Sequence, residues 1–164
     1  MINMSDSCCS ADATVCNPQP AAEVPLCPVD RSRGRPVEWL TVAALSHGVI
    51  PRRQRLWICL SPACEVVYFG EQGAQLTASE LTVHPGFKHG SDGLLCYCFQ
   101  HRRPDLAREL AETGFTAVFD EIKGEVQAGN CACEVKNPTG RCCLGEVQAA
   151  IRELLDHHGL AEEK

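Results

Sequence analysis

Cys96 and Cys98 are separated by one residue, as are Cys131 and Cys133, and Cys142 and Cys143 are adjacent. A thiolate is a soft, anionic donor that selects zinc, copper(I) or iron–sulfur clusters. Four such sulfurs brought together in one compact region point to a metal centre. Cys98 precedes a segment opened by Arg103-Pro104-Asp105, where proline suits a first helical turn. Cys143 stands at the start of a second amphipathic segment. Helix N-termini expose unpaired N–H groups and the positive end of the macrodipole. That environment suits an anionic cluster, and Gly140 and Gly145 would let backbone approach it closely. The residues alone leave zinc open as the alternative occupant, Cys131 open as a substitute for Cys133, and Cys142 open as a small core residue.

A second set of thiols lies earlier. Cys59 and Cys64 flank the turn Ser61-Pro62-Ala63 between two apolar runs, a knuckle able to set two sulfurs on one metal. Structural zinc takes four ligands in tetrahedral geometry. Cys27-Pro28-Val29-Asp30 has the spacing of a Cys-Pro-x-Cys knuckle, with aspartate where the second cysteine would stand, and a carboxylate is a legitimate zinc ligand. The expected zinc site is therefore Cys27, Asp30, Cys59 and Cys64. His47 and Cys16 are alternatives for the fourth position.

These thiols sit in a chain of 164 residues with a net charge of −6, 45% hydrophobic content and 12 cysteines. The negative balance argues against nucleic acid or an anionic membrane as a main partner. The longest apolar runs are far too short to span a bilayer, so no membrane insertion is expected. The first residues lack a basic n-region and an apolar h-region, which favours the cytoplasm, where thiols stay reduced and metal ligation outweighs a disulfide framework. No repeat is present. Residues 1–25 carry Pro18, Pro20 and Pro25 without hydrophobic period and read as a disordered tail. Its Cys8, Cys9 and Cys16 could take up a soft heavy-metal ion such as copper, and the Cys8-Cys9 pair could also form a redox disulfide.

The elements that must position the ligands read as α+β. Residues 26–90 are expected to form a small zinc-bearing β lobe. It has a short helix in Val37–His47 on Val37, Leu40 and Ala44, strands at Arg55–Ile58 and Glu65–Phe69, and a further strand within Gln75–Val83. His84–Gly93, rich in Gly, Pro and His, reads as a linker. Residues 91–158 are expected to form a mainly helical cluster lobe, with 159–164 a tail. The first helix of that lobe runs from Arg103 through Glu112 to a Gly114 stop. Phe115–Ile122 reads as a short strand or loop, and Asn130–Gly140 as a cysteine-bearing loop. The last helix is Cys143–His157, with Leu144, Val147, Ile151, Leu154 and Leu155 on one face.

Cys96-Tyr97-Cys98 and the stretch from Cys133 through Asn137-Pro138-Thr139-Gly140-Arg141 to Cys142-Cys143 resemble the [2Fe–2S] motif in the N-terminal domain of CopZ-type copper chaperones. This half is also similar to bacterioferritin-associated ferredoxin domains, which use a shorter second spacing. Carried over by position, the resemblance implies Cys96, Cys98, Cys133 and Cys143 as cluster ligands, with Cys131 and Cys142 as bystanders. The hairpin around Cys59 and Cys64 is similar to the zinc region of the same family, so the resemblance covers roughly residues 25–157. The Met-x-Cys-x-x-Cys loop of the copper-carrying domain in such chaperones does not occur here, and no Cys-x-x-Cys is present at all. Copper carriage is thus not expected to transfer whole.

No Ser/His/Asp grouping, phosphate-binding glycine loop or HExxH motif is present, so no catalytic residue is assigned. His101, His157 and His158 read as surface residues. Arg52, Arg53 and Arg55 read as a solvated turn able to dock an acidic redox partner. The function expected is heavy-metal handling, with single-electron transfer or metal-ion reduction through the cluster and a redox partner or metal transporter as counterpart. The alternative is a non-redox metal-binding or sensor module that docks a transporter or regulator.

Overall fold

β-branched and aromatic residues at 56–58 and 66–70 form the two central strands of an antiparallel sheet. The computed structural model describes residues 24–47 and 52–157. The expectations for Cys8, Cys9 and Cys16, for His158 and for the 159–164 tail lie outside these residues. Strands β1 (Arg35–Val37), β2 (Leu56–Ile58), β3 (Val66–Gly70) and β4 (Gln75–Thr77) lie in sequential order. Trp57 pairs with Phe69 and Ile58 with Tyr68, and directly paired residues share a face of the sheet.

Each face has its own core. On one, Ile58, Tyr68 and Leu76 pack with Val42, Leu56, Val67 and Leu81. On the other, Trp57 and Phe69 pack with Val66 and three cysteines, Cys27, Cys59 and Cys64. Val67 and Tyr68 are consecutive yet belong to the same core. The irregularity in the β3–β4 pairing between Val66 and Tyr68 supplies the extra residue that permits this.

Helix α1 (Trp39–Leu45) covers the first core with Thr41, Val42 and Leu45. The apolar face expected on Val37, Leu40 and Ala44 is not the buried one. Val37 belongs to β1, and Leu40 remains 54% exposed. Pairing with Leu56 holds Val37 in the sheet and Glu38 is extended, so the helix starts later and its face rotates.

The segment at 84–93 was expected as a linker, but it is packed: Pro85 and Lys88 are buried. A side chain at Gly86 would fall 1.9 Å from the Leu94 carbonyl, so only glycine lets this segment pass β5. β5 (Leu94–Cys96) and β6 (His101–Arg102) form a hairpin before the helices. Helix α2 (Arg103–Thr113) has Pro104 in its first turn and ends on Gly114 in the left-handed region.

The strand or loop expected at Phe115–Ile122 is instead the beginning of α3 (Val118–Gln127). Gly124 inside it costs about 1 kcal/mol relative to alanine and weakens the local signal. Burial of Val118 and Ile122, one helical turn apart, overrides that cost. The cysteine-bearing loop contains a single helical turn, α4 (Cys133–Lys136). Helix α5 (Leu144–His157) buries Val147, Ala150 and Leu154. A third core gathers Leu106, Leu110, Val118, Ile122, Val147 and Leu154 around Cys96 and Cys143. None of the described helices is long and apolar enough to cross a membrane.

The two regions touch. Helix α1 packs against α4, and the buried Tyr68 hydroxyl donates a 2.7 Å hydrogen bond to the Pro138 carbonyl.

Candidate metal centres

Cys27, Asp30, Cys59 and Cys64 come together, and their ligand atoms all lie within 4.8 Å of one another. Cys59 follows β2 directly, and Cys64 sits in the turn before β3, its N–H bonded to the Ser61 carbonyl. Cys27 and Asp30 are held by a turn in which the Arg31 N–H bonds the Cys27 carbonyl at 3.0 Å and the Cys27 N–H bonds the Ser32 carbonyl at 2.8 Å. Arg31 adopts a left-handed φ of 63°. A non-glycine residue pays roughly 1–2 kcal/mol for that conformation, and here it turns the chain back so that Ser32 reaches both the Cys27 N–H and the Asp30 carboxylate.

The distances suit one tetrahedral metal. A Zn–S bond of about 2.3 Å gives a sulfur–sulfur edge of about 3.8 Å. The Cys27 and Cys64 sulfurs are 3.7 Å apart, and the Cys59 sulfur is 3.7 Å from Asp30 Oδ1. Burial pushes the Cys27 thiol up to about 12, so metal must displace its proton. Asp30 is exposed, and hydrogen bonds from the Ser61 and Ser32 hydroxyls hold its carboxyl well below the usual carboxylate range. It is ready as an anionic oxygen donor. His47 is exposed and is not part of this group.

The second set is arranged differently. Among the described residues, the Cys27 quartet is the one group of three or more candidate ligands within mutual 4.8 Å reach. Cys96, Cys98, Cys133 and Cys143 form two pairs instead. The Cys98 and Cys133 sulfurs are 3.7 Å apart. A side-chain hydrogen bond between Cys96 and Cys143 lowers the Cys96 thiol and raises that of Cys143. Cys143 also senses the charge of Cys133, so the pairs adjoin. Cys96, Cys133 and Cys143 are buried and Cys98 is half-buried. The Ala132 N–H donates to the Cys98 sulfur at 3.3 Å. Cys142 is exposed and Cys131 half-buried, and the charge of Cys142 is felt by both Cys133 and Cys143.

The turn between Cys133 and Cys143 is built by its own side chains. Asn137, 1% exposed, donates from Nδ2 to the Arg141 carbonyl and accepts from the Thr139 N–H and hydroxyl. Gly140 has φ of 67°, and a side chain there would meet the Thr41 hydroxyl of α1 at 2.8 Å. Gly140 is therefore required by the turn and by its seat on α1. Gly145 faces open space. The importance of Asn137, Tyr68 and Lys88 was not read from sequence. Asn-Pro-Thr-Gly is the one local signal that pointed to the first of them.

Of the expected surface arginines, Arg55 is paired with Glu71 at 2.8 Å and lies over the Trp57 ring, while Arg53 lies over Trp39.

Comparison with known proteins agrees with this geometry. The CopZ zinc-binding domain family matches residues 24–82. The structure is similar to the crystal structure of the Archaeoglobus fulgidus CopZ N-terminal domain, with 26% sequence identity and a TM-score of 0.59, over 84% of this chain and 99% of that one. No curated protein sequence matches significantly. Residues 24–82 thus match a zinc-binding domain of the CopZ type. The chain as a whole resembles a CopZ N-terminal domain.

Proposed function

We propose that this chain is a metal-handling protein of the copper-chaperone type, with zinc held by Cys27, Asp30, Cys59 and Cys64 and a [2Fe–2S] cluster held by Cys96, Cys98, Cys133 and Cys143. The observation that carries the second assignment is the two-by-two pairing of those thiols. A mononuclear site needs all its ligand atoms in one close group, with sulfur–sulfur edges of about 3.8 Å, and the four ligand atoms of the first quartet all lie within 4.8 Å of one another. Two adjoining pairs suit two metals, each taking two thiolates. A bound [2Fe–2S] cluster supplies one-electron transfer, the chemistry that turns Cu(II) into Cu(I). The protein's part is to bury three of the sulfurs, to donate the Ala132 N–H to Cys98, and to fix Cys133 and Cys143 through the Asn137 turn.

Anaerobic purification with metal and sulfide analysis tests this. About two irons and two sulfides are expected per chain, with about one zinc. Paired visible absorption bands and a rhombic EPR signal on reduction should accompany them. Zinc in both sites, with no visible bands after reconstitution, would sink the cluster assignment. Mixing the reduced protein with Cu(II) should then yield one Cu(I) for each electron lost.

The docking alternative draws support from one surface. Both tryptophans, Trp39 and Trp57, line a single groove with Arg53 and Arg55 over their rings. If metal delivery survives in a cluster-free variant but not after Trp39→Ala, the non-redox reading replaces the redox one.

A further inference from the structure

Lys88 is the most deeply buried charged side chain of the described residues, at 5% exposure. Its ammonium donates to the Ser61 carbonyl and to the Val66 carbonyl, each at 2.8 Å. Phe87 offers its ring face at 5.6 Å. No carboxylate lies within ion-pair distance among the described residues, whose salt bridges all involve arginine. A buried charge without a counter-ion is strongly disfavoured. Carbonyl dipoles alone are a poor substitute, so the buried ammonium calls for an anion nearby.

The two carbonyls say where that anion is. Ser61 lies inside the Cys59–Cys64 turn, and Val66 opens the strand that follows it. Lys88 therefore clamps the knuckle across its ends. Three thiolates and one carboxylate outweigh the two charges of a zinc ion, leaving the filled site a net dianion. That negative charge sits in an apolar core beside the clamp, where low polarity strengthens its attraction to a cation.

We propose that Lys88 is a positioning residue for the first metal site: its buried ammonium balances the charge of the zinc-filled quartet and fixes the knuckle that presents Cys59 and Cys64. The inference rests on the zinc reading of that quartet. It carries a structural consequence, because Lys88 belongs to the packed 84–93 segment that leads into β5 and Cys96. The His89 N–H adds a bond to the Pro62 carbonyl at 2.9 Å, so this segment is moulded onto the knuckle at two adjacent residues.

The test compares full-length wild type with Lys88→Met, which keeps the stem and removes the charge, and with Lys88→Arg, which restores a cation. Zinc retention is measured by competition with a chromophoric chelator. Lys88→Met should hold zinc ~10–100-fold more weakly, the usual cost of losing an outer-shell partner, and Lys88→Arg should recover most of the loss. Equal zinc retention by wild type and Lys88→Met overturns the proposal. Failure of wild type to bind zinc overturns the zinc reading instead. Should the variants not fold, amine acetylation of wild type read by mass spectrometry decides. Lys88 should be labelled roughly 10-fold or more slowly than Lys123 and Lys136 in zinc-loaded protein, and should lose that protection on chelation. Labelling of Lys88 at one rate with and without zinc also overturns it.

Discussion

The two cysteine sets group their ligand atoms in opposite ways. The first collects its ligands from one turn and one β-hairpin, and ordinary backbone hydrogen bonds bring four ligand atoms within a single 4.8 Å group. The second draws on a strand end, a tight turn, one turn of helix and the residue before α5, and yields two adjoining pairs. A closed quartet on a sheet suits a metal that only holds structure. Paired thiols, supported by helices and by a side-chain-built turn, suit a centre whose two metals must be kept at a fixed separation. The difference teaches that ligand count alone does not separate the two kinds of site, whereas the way the ligands are grouped does.

The sharpest way to break this comparison is Cys143→Ser. It removes one member of a pair and should abolish iron and sulfide incorporation while leaving zinc content unchanged, as metal analysis would read. Loss of zinc together with iron would mean that the sites are not separate.

Asp30→Ala should have the next largest effect. Loss of a direct ligand should weaken zinc binding by more than the ~10–100-fold that an outer-shell change costs. The pH dependence of zinc binding should stay the same. Asp30 is ionised well below neutrality, so the protons displaced by metal come from thiols such as Cys27. Affinity should fall as pH falls in both proteins, and a changed slope would remove Asp30 from the list of deprotonated ligands. In the metal-free protein the sign reverses. Cys27 is raised from 9.0 to about 12 on folding, so its burial as a neutral thiol is favourable below about pH 9. That contribution is lost as pH rises toward 12, which urea titrations across that range would report.

Tyr68→Phe probes the join between the regions. It leaves the Pro138 carbonyl without its partner and should cost about 1–3 kcal/mol in denaturation. If the second site loses iron faster than the first loses zinc, the bond serves mainly the cluster turn. The smallest effect belongs to Cys131→Ser, which should leave iron, sulfide and zinc unchanged. Lost iron in that variant would exchange the roles of Cys131 and Cys133.

Much of the molecule was legible because its punctuation is local. Pro104 and Gly114 bracket α2, and the apolar period from Val147 to Leu154 marks α5. The β2–β3 hairpin follows from its aromatic and branched residues around a Ser-Pro turn. The cysteine spacings located both candidate sites. What sequence could not supply depends on tertiary contacts. Helix α3 carries an interior glycine and is stabilised by burial of Val118 and Ile122, which no short window reveals. The 84–93 segment has the composition of a linker, yet Lys88 is buried because its partners are carbonyls elsewhere in the chain. The seat of Gly140 on α1 is not legible either, since Thr41 lies far away in sequence.

The Tyr68–Pro138 bond has a consequence for the order of events. It closes a loop of 70 residues, and contacts of such separation form late because loop closure must precede their reward. During synthesis the sheet and its quartet can finish while the thiols from Cys131 onward still wait for a surface to settle on. On the proposed reading, zinc would then enter a completed pocket early, and the second centre would be assembled last, against a wall that the first has already set.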